Sequence, residues 1–201
     1  MCRVIGVSGT PGVGKSYVAR RVAERLNVLY IDLSSKVIEE ELYQEYDVSR
    51  DSYVADPDKV NMFIDKLCRE RLGEYIVVDS HYAEIIDPSY IHRIFVLRAD
   101  PETLVRRLCG RGWSYEKILE NLEAEILGIS LYNALEEQDP YKVCEIYEKD
   151  LDKAVEKILG IIEGREECDL LYIDWVNLLE KESPSELVRR ICEETRSSNY
   201  S

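Results

Sequence analysis

A chain of 201 residues has room for one α/β domain with additions. No apolar run reaches the ~18 residues of a membrane span, and the first apolar stretch leads straight into a glycine-rich loop, which leaves no room for a signal peptide and predicts a cytoplasmic protein. With 26 basic against 40 acidic residues the net charge is −14, which argues against strong direct nucleic-acid binding, permits a basic protein partner, and taken alone is read most simply as a soluble surface.

In chain order, Val4–Val7 reads as a strand. It is followed by a glycine-rich loop and by a helix whose buried stripe is Val18, Val22 and Leu26. Val28–Ile31 is a second strand, and an insert from about 32 to 55 precedes a helix after Pro57. Tyr75–Val78 and Ile94–Leu97 are further strands. Asp100 with Pro101 gives an N-cap and a first-turn proline for a helix that turns Leu104, Val105 and Leu108 inward. Gly110-Arg111-Gly112-Trp113 is a turn, and Ser114 then caps a long helix with Ile118, Leu122, Ile126 and Ile129 as its buried stripe. Val143–Ile146 is the fifth strand and Leu151–Ile162 an amphipathic helix. Residues 164–167 read as a linker. A run from Asp169 to Trp175 follows, then a last helix opened by the capping box Ser183-Pro184-Ser185-Glu186.

The first four strands are nearly all apolar, which suits a parallel sheet covered on both faces and joined by right-handed crossovers. Cysteines stand at 2, 68, 109, 144, 168 and 192 without a C-x-x-C pair, so zinc spacing is absent. Most read as small buried hydrophobes, with disulfides open for a hyperthermophilic source.

The chemistry begins at residues 9–16, GTPGVGKS, which match G-x-x-x-x-G-K-[ST] between a strand and a helix. Gly9, Gly12 and Gly14 let the backbone, including Val13, bring its N–H groups against phosphate oxygens. A helix starting near Lys15 adds its positive end. Lys15 is placed to reach the β- and γ-phosphates and Ser16 to ligate Mg²⁺, with the Tyr17 N–H behind it. A loop of this kind holds its metal with a second acidic residue, and Asp79 supplies one at a strand end, where ligands bind in open α/β sheets. His81, two residues on, either orients a water or phosphate or simply caps the strand. Arg111, flanked by glycines, is the candidate to close over a nucleotide and offset charge on the transferring phosphoryl group. Arg98 and Arg107 are further candidates, though Arg106 and Arg107 taken singly read as solvated surface charges.

The loop GTPGVGKS, the Asp79-x-His81 strand end, the Arg111-Gly112-Trp113 turn and Asn121 with Glu125 together resemble the atypical adenylate kinase family, also called adenylate kinase isoenzyme six or Fap-seven, in its archaeal form. The tract from Glu41 to Asp56 resembles that family's monophosphate-binding module. Residues 111–125 resemble its lid and following helix. The resemblance spans about residues 1–163 and is weaker beyond, resting there on Ile173-Asp174-Trp175. It implies a P-loop three-layer fold with a five-stranded parallel sheet, a short monophosphate-binding insert (about 32–55), a lid (about 110–120) and a C-terminal extension at 164–201. It implies Mg-ATP as donor, AMP or another nucleoside monophosphate as acceptor, an ATPase activity, and a role in late maturation of the small ribosomal subunit with a basic platform ribosomal protein as partner. Ordinary adenylate kinases hold the acceptor phosphate with arginines. Here Lys36 is the nearest basic residue at the second strand, and no arginine follows Asp79 before Arg93. Lysine does not reproduce a bidentate arginine clamp, which shifts weight toward hydrolysis.

Overall fold

A computed structural model describes residues 2–48, 52–180 and 182–198. Residues 49–51 of the predicted insert, and residues 181 and 199–201 of the predicted extension, lie outside the described residues. Five parallel strands form the central sheet: β1 (Arg3–Ser8), β2 (Leu29–Asp32), β5 (Tyr75–Asp79), β6 (Ile91–Arg98) and β7 (Val143–Tyr147), ordered β2-β5-β1-β6-β7. All five predicted strands are present. Their apolar runs follow from two-sided burial. Ile5, Val77, Phe95 and Leu97 enter one core, whereas Val4, Ile76, Val78, Ile94 and Val96 enter the other, because successive side chains point to opposite faces.

One face is covered by α1 (Lys15–Leu26), α4 (Pro101–Gly110), α5 (Tyr115–Ile126), α7 (Leu151–Ile162) and α8 (Pro184–Ser198). The other is covered by α2 (Leu33–Glu39), α3 (Pro57–Glu70) and α6 (Ile129–Glu137). The caps are those predicted: Asp100 accepts from Thr103 N–H, Ser114 from Lys117 N–H, and Ser183 and Glu186 bond reciprocally. The single long helix expected after Ser114 is two. Gly128, in the left-handed conformation at φ 66°, separates α5 from α6 and turns the chain to the other face of the sheet. Ile129 is consequently exposed and leaves the buried stripe, which ends at Ile126.

The insert after β2 holds α2 and an antiparallel pair, β3 (Tyr43–Asp47) with β4 (Ser52–Ala55). No periodic pattern in the sequence marks these elements. Its alternation is weak, and the strands are mostly exposed.

All six cysteines pair: Cys2–Cys68, Cys109–Cys192 and Cys144–Cys168. They are buried or partly buried, as expected, but bonded rather than merely packed. Two of the bonds hold residues beyond 163 to the domain. Cys168 lies beside edge strand β7, where the Asp169 carbonyl accepts from Glu145 N–H at 2.9 Å, so the run after 167 covers a sheet edge rather than adding a strand. Residues 164–167 are not an extended linker either: Arg165 and Glu166 N–H both bond the Gly160 carbonyl.

Candidate nucleotide site

The loop between β1 and α1 carries Gly9, Gly12 and Gly14 at φ 130°, 101° and 114°. At Gly9 a Cβ would stand 2.4 Å from the Leu97 carbonyl oxygen, so no side chain fits where the loop leaves the sheet. Gly14 caps α1 without a side-chain acceptor, which leaves the first N–H groups of that helix open to an anion.

A cleft of about 400 Å³ opens above the loop, lined by Gly12, Gly14, Lys15, Ser16, Tyr17, Asp32, Asp79, His81, Arg107, Arg111 and Trp113 among others. It brings together Gly12, Gly14, Lys15, Ser16, Tyr17, Asp79, His81 and Arg111, all singled out from the sequence. Gly9 and Val13 stand behind it. Val13 is buried, and its N–H donates to the Thr10 carbonyl.

Burial lowers the Lys15 ammonium to about 8, against the opposing attraction of Asp79, and its Nζ rests on the Thr10 carbonyl at 3.3 Å. Asp79, 4% exposed at the end of β5, accepts from the Tyr30 hydroxyl at 3.1 Å. His81 is open to the cleft. Desolvation by the cleft walls and the Lys15 charge hold the imidazole below its ordinary range, at about 4, so the ring is neutral at pH 7. Its face meets Tyr82 edge-on, 4.3 Å between centroids.

The hydroxyl of Ser16 and the carboxylates of Asp79 and Asp32 share this cleft. They are hard oxygen donors of the kind Mg²⁺ takes alongside phosphate and water, too few to cage a metal alone. Among the described residues no cluster of three metal-binding side chains occurs.

Two arginines differ from expectation. Arg98 is not available to a nucleotide: 4% exposed, it donates to Glu125 at 2.8 Å and Glu145 at 2.6 Å. Arg107 is no solvated charge, because its Nη1 bonds the carbonyls of Gly12 and Val13 at 3.3 and 2.8 Å. Arg111 reaches the cleft from the turn between α4 and α5. Asn121 stays outside, bonding the Lys117 carbonyl one turn back. Lys36 is engaged with Glu39 and Glu40. Sequence reasoning missed Tyr30 and Thr10, whose roles depend on partners 49 and 115 residues away.

A second cleft of about 540 Å³ lies under the insert, lined by Ser34, Val37, Ile38, Tyr46, Ser52, Tyr53, His81 and Tyr82. Ser34 and His81 line both clefts.

The sheet order, the glycine loop and the lysine over it define a P-loop nucleoside-triphosphate-binding fold. A family model described as an AAA domain matches residues 5–128. Archaeal proteins bearing the name "Putative adenylate kinase" are similar over most of their length. That of Saccharolobus islandicus is 39% identical over 166 residues, covering 83% of this chain and 84% of its own. That of Methanococcus maripaludis is 38% identical, covering 80% and 88%, and that of Pyrococcus furiosus 32%, covering 90% and 96%. The chain belongs to this family. A solved shikimate kinase from Bacteroides thetaiotaomicron shares the fold at 17% identity, with a TM-score of 0.53 over 80% of this chain and 98% of its own.

Proposed function

We propose that this protein transfers the γ-phosphoryl group of Mg-ATP to a nucleoside monophosphate, AMP first among candidates, and hydrolyses ATP on the same site. The observation that carries the reading is the meeting of two clefts at Ser34 and His81, one over the phosphate loop and one walled by Tyr46, Tyr53 and Tyr82. The tyrosine rings suit an aromatic base. The relatives' name supports an adenylate kinase-type reaction. In this reading Lys15 and the loop N–H groups, those of Gly12 and of Gly14 to Tyr17 foremost, hold phosphate charge. Ser16 and Asp79 place Mg²⁺, Arg111 closes from the lid, and His81 stands where donor and acceptor meet. The protein supplies position and charge rather than covalent chemistry.

A second reading is favoured by one observation: among the described residues that line the acceptor cleft, none is lysine or arginine. Those described residues offer a monophosphate aromatic and hydroxyl contacts rather than ion pairs. The useful output is then an ATP-driven switch in late small-subunit maturation, in the cytoplasm. Its partner is a basic ribosomal protein, toward which the −14 charge is complementary. No helix among the described residues is long and apolar enough to cross a membrane.

ADP formation from Mg-ATP, alone and with each monophosphate, tests both. Strong stimulation by AMP, with two ADP formed per ATP consumed, supports the kinase. Steady hydrolysis indifferent to any acceptor overturns it in favour of the switch. Replacing His81 with alanine is expected to reduce hydrolysis more than transfer, and an equal fall in both removes its water-positioning role.

A further inference from the structure

Behind the phosphate loop, a chain of buried contacts ends on the ammonium of Lys15. Thr10 Oγ1 donates to Glu125 Oε2 at 2.5 Å, and these residues are 2% and 1% exposed. The backbone carbonyl of the same threonine accepts from Lys15 Nζ at 3.3 Å and from Val13 N–H at 3.2 Å. Glu125 is itself fastened. Its Oε1 accepts from Arg98 Nε at 2.8 Å and from Ala99 N–H at 3.1 Å, and Arg98 Nη2 donates to its backbone carbonyl at 2.9 Å. The far side of Arg98 is occupied by Glu145. A carboxylate bonded on both oxygens inside a low-dielectric core has one placement. Threonine is stiff at χ1, so fixing its hydroxyl fixes its Cα–Cβ bond, and the Val13 N–H holds the carbonyl attached to that Cα.

We propose that Glu125 is a positioning residue for Lys15, acting through Thr10. The carboxylate holds the hydroxyl, the hydroxyl orients the Thr10 carbonyl, and that carbonyl parks the ammonium beside the loop until a phosphate oxygen displaces it. The proposal rests on the loop being the ATP site. The competing account is a purely structural tie between α5 and the loop, which would lower stability when cut without acting through the lysine.

Binding of a fluorescent N-methylanthraniloyl ATP analogue with Mg²⁺ separates the two, measured where circular dichroism shows each variant folded. Thr10→Val, which keeps the shape and removes the hydroxyl, is expected to weaken binding about tenfold, and Thr10→Ser to stay within about threefold of the parent. In a Lys15→Ala background, Thr10→Val is expected to change nothing further, because the position being set is gone. Additive losses in that cycle overturn the proposal, as does parental affinity in Thr10→Val. Thr10→Ala provides the same cycle if the valine variant does not fold. A parent protein that binds no analogue would refute the ATP site itself, an outcome distinct from either.

Discussion

The ammonium of Lys15 is the most costly charge in the cleft, held at about 8 rather than 10.5 by burial. A bound triphosphate would return it toward its ordinary value, because an adjacent negative charge favours the protonated form. The free protein therefore loses this proton as pH rises through about 8, while the complex keeps it. ATP affinity is expected to be full below pH 8 and to fall above it by up to about tenfold per pH unit. Calorimetry at pH 9 in two buffers of different ionisation enthalpy should register proton uptake, and none would mean that the phosphates do not meet this lysine. Replacing Lys15 with alanine is expected to remove at least about 10²–10³ of turnover, measured as ADP release by protein whose circular dichroism is unchanged. At this scale the loop was legible because its chemistry is local, eight consecutive residues with a strand before and a helix after. The arginines were not. Arg98 finds its carboxylates 27 and 47 residues away and Arg107 its carbonyls 95 and 94 residues away, distances that no local pattern encodes.

Elements were read well where burial imposes a period and poorly where it does not. The five strands and the stripes of α1, α4 and α7 are two-sided or one-sided core and show it. The hairpin β3–β4 is exposed along most of its length, so its packing leaves little imprint on the sequence. The break at Gly128 was hidden by Ile129, which continues the apparent stripe across it. The turn that follows His81 has its own cost. Glu84, at residues 83–85, is 5% exposed, and one carboxyl oxygen has no partner. Burial raises its carboxyl to about 7 from 4.5. Between these values the folded chain keeps a proton that the unfolded chain has lost, so stability falls as pH rises through this window and stays lower above it. Glu84→Gln is expected to stabilise by about 2–3 kcal/mol at pH 8 and by nothing near pH 4. Urea titrations at the two values decide it, and an equal change at both would show that Glu84 does not titrate there.

Across the whole molecule, α8 joins the two helices on either side of the turn that carries Arg111. Cys192 is bonded to Cys109 at the end of α4, Glu194 pairs with Arg106, and the Tyr115 hydroxyl at the start of α5 donates to the Ser185 carbonyl. The extension is thus a brace on the fold, tied to the helices on both sides of that turn. Replacing Cys109 and Cys192 together with serine is expected to cost about 2–4 kcal/mol, read as a lower urea midpoint with both proteins handled without reductant. An unchanged midpoint would mean that α8 is held by packing alone. The fold class was legible at this scale, but the brace was not, since cysteine positions do not state their pairing.

The three bonds also divide the chain into closed circuits. Residues 2–68 form one and 109–192 another, with 144–168 nested inside the second. The insert after β2 lies in the first circuit and the turn between α4 and α5 in the second, while β5 and β6, with Asp79 and His81, belong to neither. A protease that nicks the backbone once in the insert or in that turn therefore releases nothing. The cut protein migrates as one band until a thiol is added, and only then as two.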